Sequence, residues 1–390
     1  MFTHYMPPHM GGIELVAERL VRVYESAGLT VEWIASRVPA SEPEREPGRV
    51  RLRSFNGLER FSVPWPLWTP AACRTVLKVV KWADVVHVHD CIYVSSAVAT
   101  LCARRTGKPV LLTQHKGWTP YPQRWLNAIQ VAAYATLGKA VLKRASHLAV
   151  AGPSAAALVN DLLRSRSPPR TRIDNGVDIN RFRPPAADER RAARAALGLP
   201  QDRPVVLFAG RLVALKGVEL VAAVAHRRAH RYHFLIVGGG PMAHLLPRGP
   251  SVSWIERVPP SEIHHVYRAA DALLLPARGE GLPLVVQEAM ASGVPPVVLE
   301  DELFAQELRA RNVCITAAPS PEALCSALDT IFSRADFAAA LALRARQFAV
   351  RRWSLERMSS EYLKLVAQLL QPARAAGRHS HQDLYPGHVR

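Results

Sequence analysis

Residues 279–293 read GEGLPLVVQEAMASG. Two carboxylates, Glu280 and Glu288, bracket a mostly apolar stretch in a chain otherwise rich in cations. Pro283 suits the first helical position, and Gly293 followed by Pro295 marks a stop, so the spacing predicts a helix opening at Pro283. Glu280 then lies in the loop before the helix and Glu288 in its second turn. Leu284, Val285, Val286, Ala289, Met290 and Ala291 leave that helix little polar face. Its carboxylate is therefore expected to be buried and to need partners. Hydroxyl groups of a ribose or a sugar would supply them, because a carboxylate accepts such hydrogen bonds.

The flanks place this helix in an alternating α/β pattern. Apolar runs read as strands at Val205–Ala209, His233–Val237, Val252–Ile255, Ala272–Leu275 and Pro296–Leu299, with helices at Val218–Arg228 and Ser261–Ala270. The first half repeats the alternation. Apolar residues at 13, 16, 17, 20 and 24 mark one face of a helix over Ile13–Ala27, and strands read at Val31–Ala35, Val85–Val88, Val110–Thr113 and His147–Val150. Residues 120–144 read as mainly helical. Strands alternating with helices argue parallel sheets, and 390 residues argue two cores. The expected division is a first domain over 1–170, a proline- and charge-rich linker over 171–203, and a second domain over 204–350. An amphipathic helix over 351–370 and a frayed polar tail over 371–390 follow.

Hydrophobic residues make up 49% and charged residues 21%, the balance of a globular chain. The five cysteines are scattered with no Cys-x-x-Cys pair, which fits small core residues in a reducing compartment. The formal net charge of +18 favours anionic partners: a phosphorylated substrate, an anionic lipid surface or nucleic acid. No recognition helix, finger or RNP-type segment supports the last, so nucleic acid is not expected. No apolar run reaches the roughly 18 residues of a membrane span, and the first residues do not read as a basic-then-apolar signal. Only MFTHY precedes a Pro/Gly loop that should follow a full strand, so either the opening strand is very short or the true start lies upstream.

The strand at 205–209 runs into Gly210-Arg211, and Lys216-Gly217 follows before a helix. Glycine admits a ligand close to the backbone, and a helix N-terminus offers free N–H groups. Arg211 adds a fork and Lys216 a point charge, a pair suited to a diphosphate. Ligands of open α/β sheets bind at this edge. Gly238–Gly240, after the next strand, reads either as a turn or as backbone approaching a nucleotide.

The segments GRLVALKG, VGGGP and YRAADALLLPARGEGLPLVVQEAMASGVPPVV together resemble the nucleotide-sugar half of glycosyltransferase family 4, whose E-x7-E motif matches Glu280 and Glu288. PPHMGGIE, DVVHVHD, TQH, GPS and IDNGVDINRF resemble stations of the same family in the same order, to about residue 370. The resemblance implies a GT-B fold: two Rossmann-like doubly wound domains facing a cleft, with the C-terminal helix returning to the first. It implies a retaining transfer of sugar from a UDP- or GDP-sugar to a glycan or lipid-linked acceptor, with no cofactor and no metal. Arg211 and Lys216 would hold the diphosphate, Glu280 the sugar and Glu288 the ribose. Gly11, Gly12, Gly210, Gly239, Gly240, Gly281, Leu282 and Pro283 would line the donor. His115 would face the reacting carbon, with His89 and Asn175 lining the cleft or acceptor side and His87 packing. Glu256 in WIERV departs from the family, which often has glycine there.

A nucleotide-sugar hydrolase or epimerase would share this architecture. Two aromatic–basic groups, Trp65, Trp68 and Trp82 with Arg74, Lys78 and Lys81, and Trp118, Tyr121 and Trp125 with Arg124, suit a membrane interface, and equally an acceptor pocket or ordinary packing. The expected setting is the cytoplasm, with contact at the inner face of the cell membrane.

Overall fold

The computed structural model describes residues 1–9, 11–39, 41–57, 65–164 and 167–375. They divide into two compact units. The first holds Met1–Lys116, Gln123–Ile173 and the chain from Met358 onward; the second holds Gly117–Pro122 and Asp174–Arg357.

The second unit is built on six parallel strands. In spatial order they are Val252–Ile255, His233–Val237, Val205–Ala209, Ala272–Leu275, Pro296–Leu299 and Ile315–Ala317. The central strands are buried along their whole length, which is why they read as unbroken apolar runs rather than alternating ones. In chain order this is 3-2-1-4-5-6, so the winding reverses between Val205–Ala209 and Ala272–Leu275. The loops leaving those two strands therefore part at a crevice. These loops carry Arg211 with Lys216, and Glu280.

The first unit repeats the design with a shorter centre. Strands Val86–His89, Val110–Gln114, His147–Val150 and Arg170–Arg172 form one parallel run, and Trp33–Ser36 pairs in parallel with Arg49–Leu52. Phe2 joins the two runs through parallel bridges to Ile34 and to Val88. Its N–H donates to the His87 carbonyl at 2.8 Å, and its own carbonyl accepts from His89 N–H at 3.1 Å. The short opening strand thus pairs on both sides. The helix Gly12–Ser26 follows it and buries Ile13, Val16, Ala17, Leu20 and Tyr24.

Residues 171–203 do not stand apart as a linker. Arg170–Arg172 closes the first sheet, and the chain from Asp174 belongs to the second unit. The basic helix Ala187–Ala196 is docked by Arg194, which is buried and donates to Asp271 and to the Ala269 carbonyl. A buried guanidinium needs that many acceptors. The last helix runs Leu355–Ala375, so 371–375 are helical rather than frayed; residues 376–390 lie outside the described residues. From Met358 this helix belongs to the first unit, where Tyr362 is buried and its hydroxyl lies 3.1 Å from that of Thr113.

Residues 117–122 are not part of the helical stretch expected over 120–144. They join the second unit, and helix resumes at Arg124. Of the first aromatic group, Trp68 lies in the core of the first unit, with Trp65 and Trp82 packed against it. That group is packing, not an exposed interface.

Candidate active site

Glu280 and Lys216 come together at the reversal of the second sheet. The Lys216 Nζ lies 2.7 Å from Glu280 Oε1, with both side chains largely enclosed. Backbone contacts hold the two loops in register. Arg278 N–H donates to the Leu215 carbonyl at 2.8 Å, and Gly217 sits directly on the Pro276 carbonyl. A Cβ at residue 217 would stand 2.2 Å from that oxygen, and φ there is +68°, so only glycine fits. Arg211, on the same loop as Lys216, is exposed, and among the described residues no carboxylate pairs with it. The cluster thus offers one compensated and one uncompensated cation at a parallel-sheet edge, an arrangement that receives phosphate groups.

The glycine run approaches the protein itself. Gly238 packs on the Gly210 carbonyl and Gly240 on the Leu212 carbonyl, while Leu212 N–H donates to the Gly239 carbonyl at 2.8 Å. Gly239 is covered by the Glu256 side chain, whose Cγ would lie 3.1 Å from an added Cβ. Gly238 and Gly240 are therefore needed to seat the Arg211 loop. The close approach of Gly238 and Gly240 is to neighbouring backbone. Glu256, the departure from the family pattern, lies against that run.

The helix opened by Pro283 runs Leu284–Ala291, with Pro283 one position earlier than expected, at the cap. Glu288 is buried in its second turn, as the spacing predicts, and the Tyr267 hydroxyl donates to its Oε2 at 2.8 Å. The protein thus supplies one partner that the sequence left to a ligand. Leu282 points into the core, so a donor could meet its backbone but not its side chain; Gly281 and Pro283 are buried beside it. Asn175 belongs to this unit, where its carbonyl accepts from Gln287 Nε2 at 2.6 Å. Residues 117–122 lie on the same loop: a Cβ at Gly279 would stand 2.4 Å from Pro120 Cδ.

In the first unit, His115 follows Val110–Gln114 and is anchored by its own N–H, which donates to Asp90 Oδ1 at 2.6 Å. Burial pushes the Asp90 carboxyl up to about 6. His89 is fully buried, not cleft-lining. It lies behind His115, with His89 Nδ1 and His115 Nε2 2.8 Å apart and the rings stacked. Strand alternation puts residues 87 and 89 on one face, so the His87 ring stacks on His89 while bonding Thr113 and Tyr24. Burial pushes both imidazoles well below their ordinary range, so both are neutral at pH 7. His89 Nε2 has no hydrogen-bond partner. A buried lone pair is tolerated better than a buried orphan N–H, which puts the His89 proton on Nδ1 and makes it the donor. His115 then accepts at Nε2 and carries its own proton on Nδ1. Gly11 caps the helix Gly12–Ser26, and the carboxylate covering it is the buried Glu14, held by His4 at 3.2 Å.

Residues 10–181 match the family described as Glycosyltransferase Family 4, and residues 189–348 match Glycosyl transferases group 1. A D-inositol 3-phosphate glycosyltransferase of Xylanimonas cellulosilytica is 30% identical over 326 residues, spanning 74% of this chain and 75% of that one. The chain belongs to glycosyltransferase family 4. It is a glycosyltransferase of the group 1 type. Among solved structures, sucrose-phosphate synthase from Thermosynechococcus elongatus matches with a TM-score of 0.73 at 21% identity, covering 93% of this chain and 94% of that chain. Anabaena HepE in complex with UDP-glucose matches with a TM-score of 0.73 at 16% identity, covering 94% and 98%. The shared architecture is GT-B, with its two Rossmann-like units.

Sequence reasoning within this family missed Tyr267, Gln287 and Glu302. Tyr267 and Gln287 act across the fold, and nothing local distinguishes them from packing. Glu302 had a signal: the acidic run Glu300-Asp301-Glu302 directly follows the buried strand Pro296–Leu299, at the sheet edge where ligands gather.

Proposed function

We propose that the protein transfers a sugar from a nucleotide-activated donor to a glycan or lipid-linked acceptor, with retention of configuration and without a metal ion. The observation that carries this reading is the Lys216–Glu280 pair, with the uncompensated Arg211 on the same loop as Lys216, at the reversal of the second sheet. HepE, whose solved structures contain UDP and UDP-glucose, supports a nucleotide-sugar donor. The acceptor named for the curated relatives is an inositol phosphate, which fits a cationic protein acting on an anionic acceptor.

In this reading Arg211 and Lys216 bind the diphosphate and stabilise the charge that develops on it as the glycosidic bond breaks. Glu280 accepts from sugar hydroxyls while remaining paired with Lys216, a role that binds rather than attacks. The acceptor hydroxyl approaches on the face of the departing diphosphate, whose oxygen takes its proton. His115 faces the sugar near the reacting carbon. Glu288, oriented by Tyr267, holds the ribose. Glu288→Gln keeps the size but removes the charge, so the donor KM rises about tenfold, the worth of one charge-assisted hydrogen bond, with little change in kcat. Donor-saturation kinetics in the presence of EDTA check both this and metal independence. An unchanged KM removes Glu288 from the donor site.

No helix among the described residues is long and apolar enough to cross a membrane. The helix Arg124–Ala133 nevertheless exposes Trp125, Ile129 and Val131, with Arg124 at its start and Lys143 and Arg144 further along the chain. An apolar face flanked by cations suits the surface of an anionic bilayer. Flotation with anionic vesicles carries the protein up at low salt and releases it at high salt. A Trp125→Ser, Ile129→Ser variant floats less; equal flotation of variant and wild type counts against this face.

A further inference from the structure

Glu302 stands just before the helix Leu303–Ala310, at the carboxyl edge of the second sheet. Its two oxygens accept from two successive backbone N–H groups, Gly279 at 2.8 Å and Glu280 at 3.1 Å. Gly279 has φ of +68° and lies against Pro120. With its backbone in the left-handed region, the N–H groups of residues 279 and 280 converge on one point, a geometry that takes an anion. Glu302 fills it with a bidentate carboxylate, and the next side chain outward is that of Glu280, on Lys216.

We propose that Glu302 is the positioning residue of the donor-sugar site, clamping the Gly279–Glu280 backbone so that the Glu280 carboxylate is presented at Lys216. This inference rests on the reading of Glu280 and Lys216 as donor-binding groups.

Two features say why the clamp is a carboxylate. Two adjacent donors need two acceptor oxygens at fixed spacing, which a carboxylate supplies and an amide or hydroxyl does not. The site also holds this anion against opposition. Burial, and then the neighbouring Glu280 and Asp301 charges, raise the Glu302 carboxyl above its ordinary range, while the two N–H bonds pull it down. A carboxylate retained beside two others is there for the bonds it makes. Gly279 has no side chain to hold its own backbone, and Glu280 must project into the site.

The test compares Glu302→Gln, Glu302→Asp and Glu302→Ala with Glu280→Gln, measuring kcat and donor KM, nucleoside diphosphate binding and thermal stability. Glu302→Gln turns one acceptor into a donor facing an N–H. It lowers kcat/KM for the sugar nucleotide roughly 10- to 100-fold, the scale of a misplaced catalytic group. Affinity for the nucleoside diphosphate alone stays within about twofold, since that ligand lacks the sugar Glu280 would hold. Glu302→Asp, which keeps the charge with a shorter reach, recovers part of the loss. Adding Glu302→Gln to Glu280→Gln costs nothing further. Equal losses of sugar-nucleotide and diphosphate binding with a lowered melting temperature reduce Glu302 to a structural role and overturn the proposal. Tighter donor binding in Glu302→Ala also overturns it, because Glu302 would then compete with the donor for the two amides. Normal activity in Glu280→Gln instead removes the donor reading itself.

Discussion

Lys216→Ala lowers turnover by roughly 10²- to 10³-fold, the cost typical of removing one charge-stabilising donor from an active site. A 3-2-1-4-5-6 parallel sheet opens its crevice between the first and fourth strands, and Lys216 and Glu280 lie on the loops leaving those strands. The 2.7 Å ion pair fixes both groups before any ligand arrives, so little reorganisation is needed when charge develops on a leaving diphosphate. Removing Lys216 has a second effect. The Glu280 carboxylate, itself largely enclosed, loses its cation and then repels the donor phosphates. Lys216→Ala should therefore fall below Glu280→Gln in turnover, and a Lys216→Ala, Glu280→Gln double variant should recover part of the difference. Thermal stability should fall in Lys216→Ala, because an enclosed carboxylate is left without its cation, and the double variant should regain part of it. Steady-state kinetics of the three variants with saturating donor check the order. A Lys216→Ala enzyme within about threefold of wild type, well inside the loss expected for such a donor, would falsify the assignment.

Gly238→Ala destabilises the second unit by about 3–5 kcal/mol, combining backbone strain with overpacking. Residue 238 has φ of +136°, a conformation side chains rarely adopt, and an added Cβ would stand 1.9 Å from the Gly210 carbonyl oxygen. That neighbour is backbone, held by Gly210 N–H donating to the Val237 carbonyl at 2.9 Å, so it cannot rotate away. Relief requires the Gly210–Leu212 segment to move, which displaces Arg211. The variant should thus lose both stability and donor binding. Gly239→Ala is the internal control. Its added Cβ meets the Glu256 side chain, which can swing aside, and its φ is unstrained. Denaturant unfolding of the two variants should separate them by several kcal/mol; similar midpoints would show that the close approach at residue 238 relaxes.

How much was legible in the chain follows from how locally each feature is encoded. The strands at 205–209, 233–237, 252–255, 272–275 and 296–299 were read to the residue; all but the partly exposed edge strand 252–255 are buried on both faces and so form contiguous apolar runs. The placement of Glu280 in a loop and Glu288 in a buried helix also followed, since Pro283 and Gly293 punctuate that helix. Other features depend on contacts distant in sequence. Phe2 makes its sheet pairing with a single bridging residue, too short to give a pattern. Residues 117–122 join the second unit although the chain on either side of them belongs to the first. His89 reads as an edge residue, yet it is sealed behind His115. Tyr267 and Glu302 reach their partners across 21 to 23 positions. Arg211, Lys216, Glu280 and Glu288 were legible as a motif; of the groups that hold them in place, only Glu302 left a local trace, in the acidic run at 300–302.

In the proposed reaction Arg211 and Lys216 act on a nucleotide-sugar diphosphate, and this role has a direct test. It is tested most directly by acceptor-dependent release of nucleoside diphosphate from a panel of UDP-, GDP- and ADP-sugars, comparing wild type with an Arg211→Ala, Lys216→Ala double variant. At least one donor should support release by the wild type, and the double variant should lose it while remaining folded. Release at the same rate by both proteins would contradict that role.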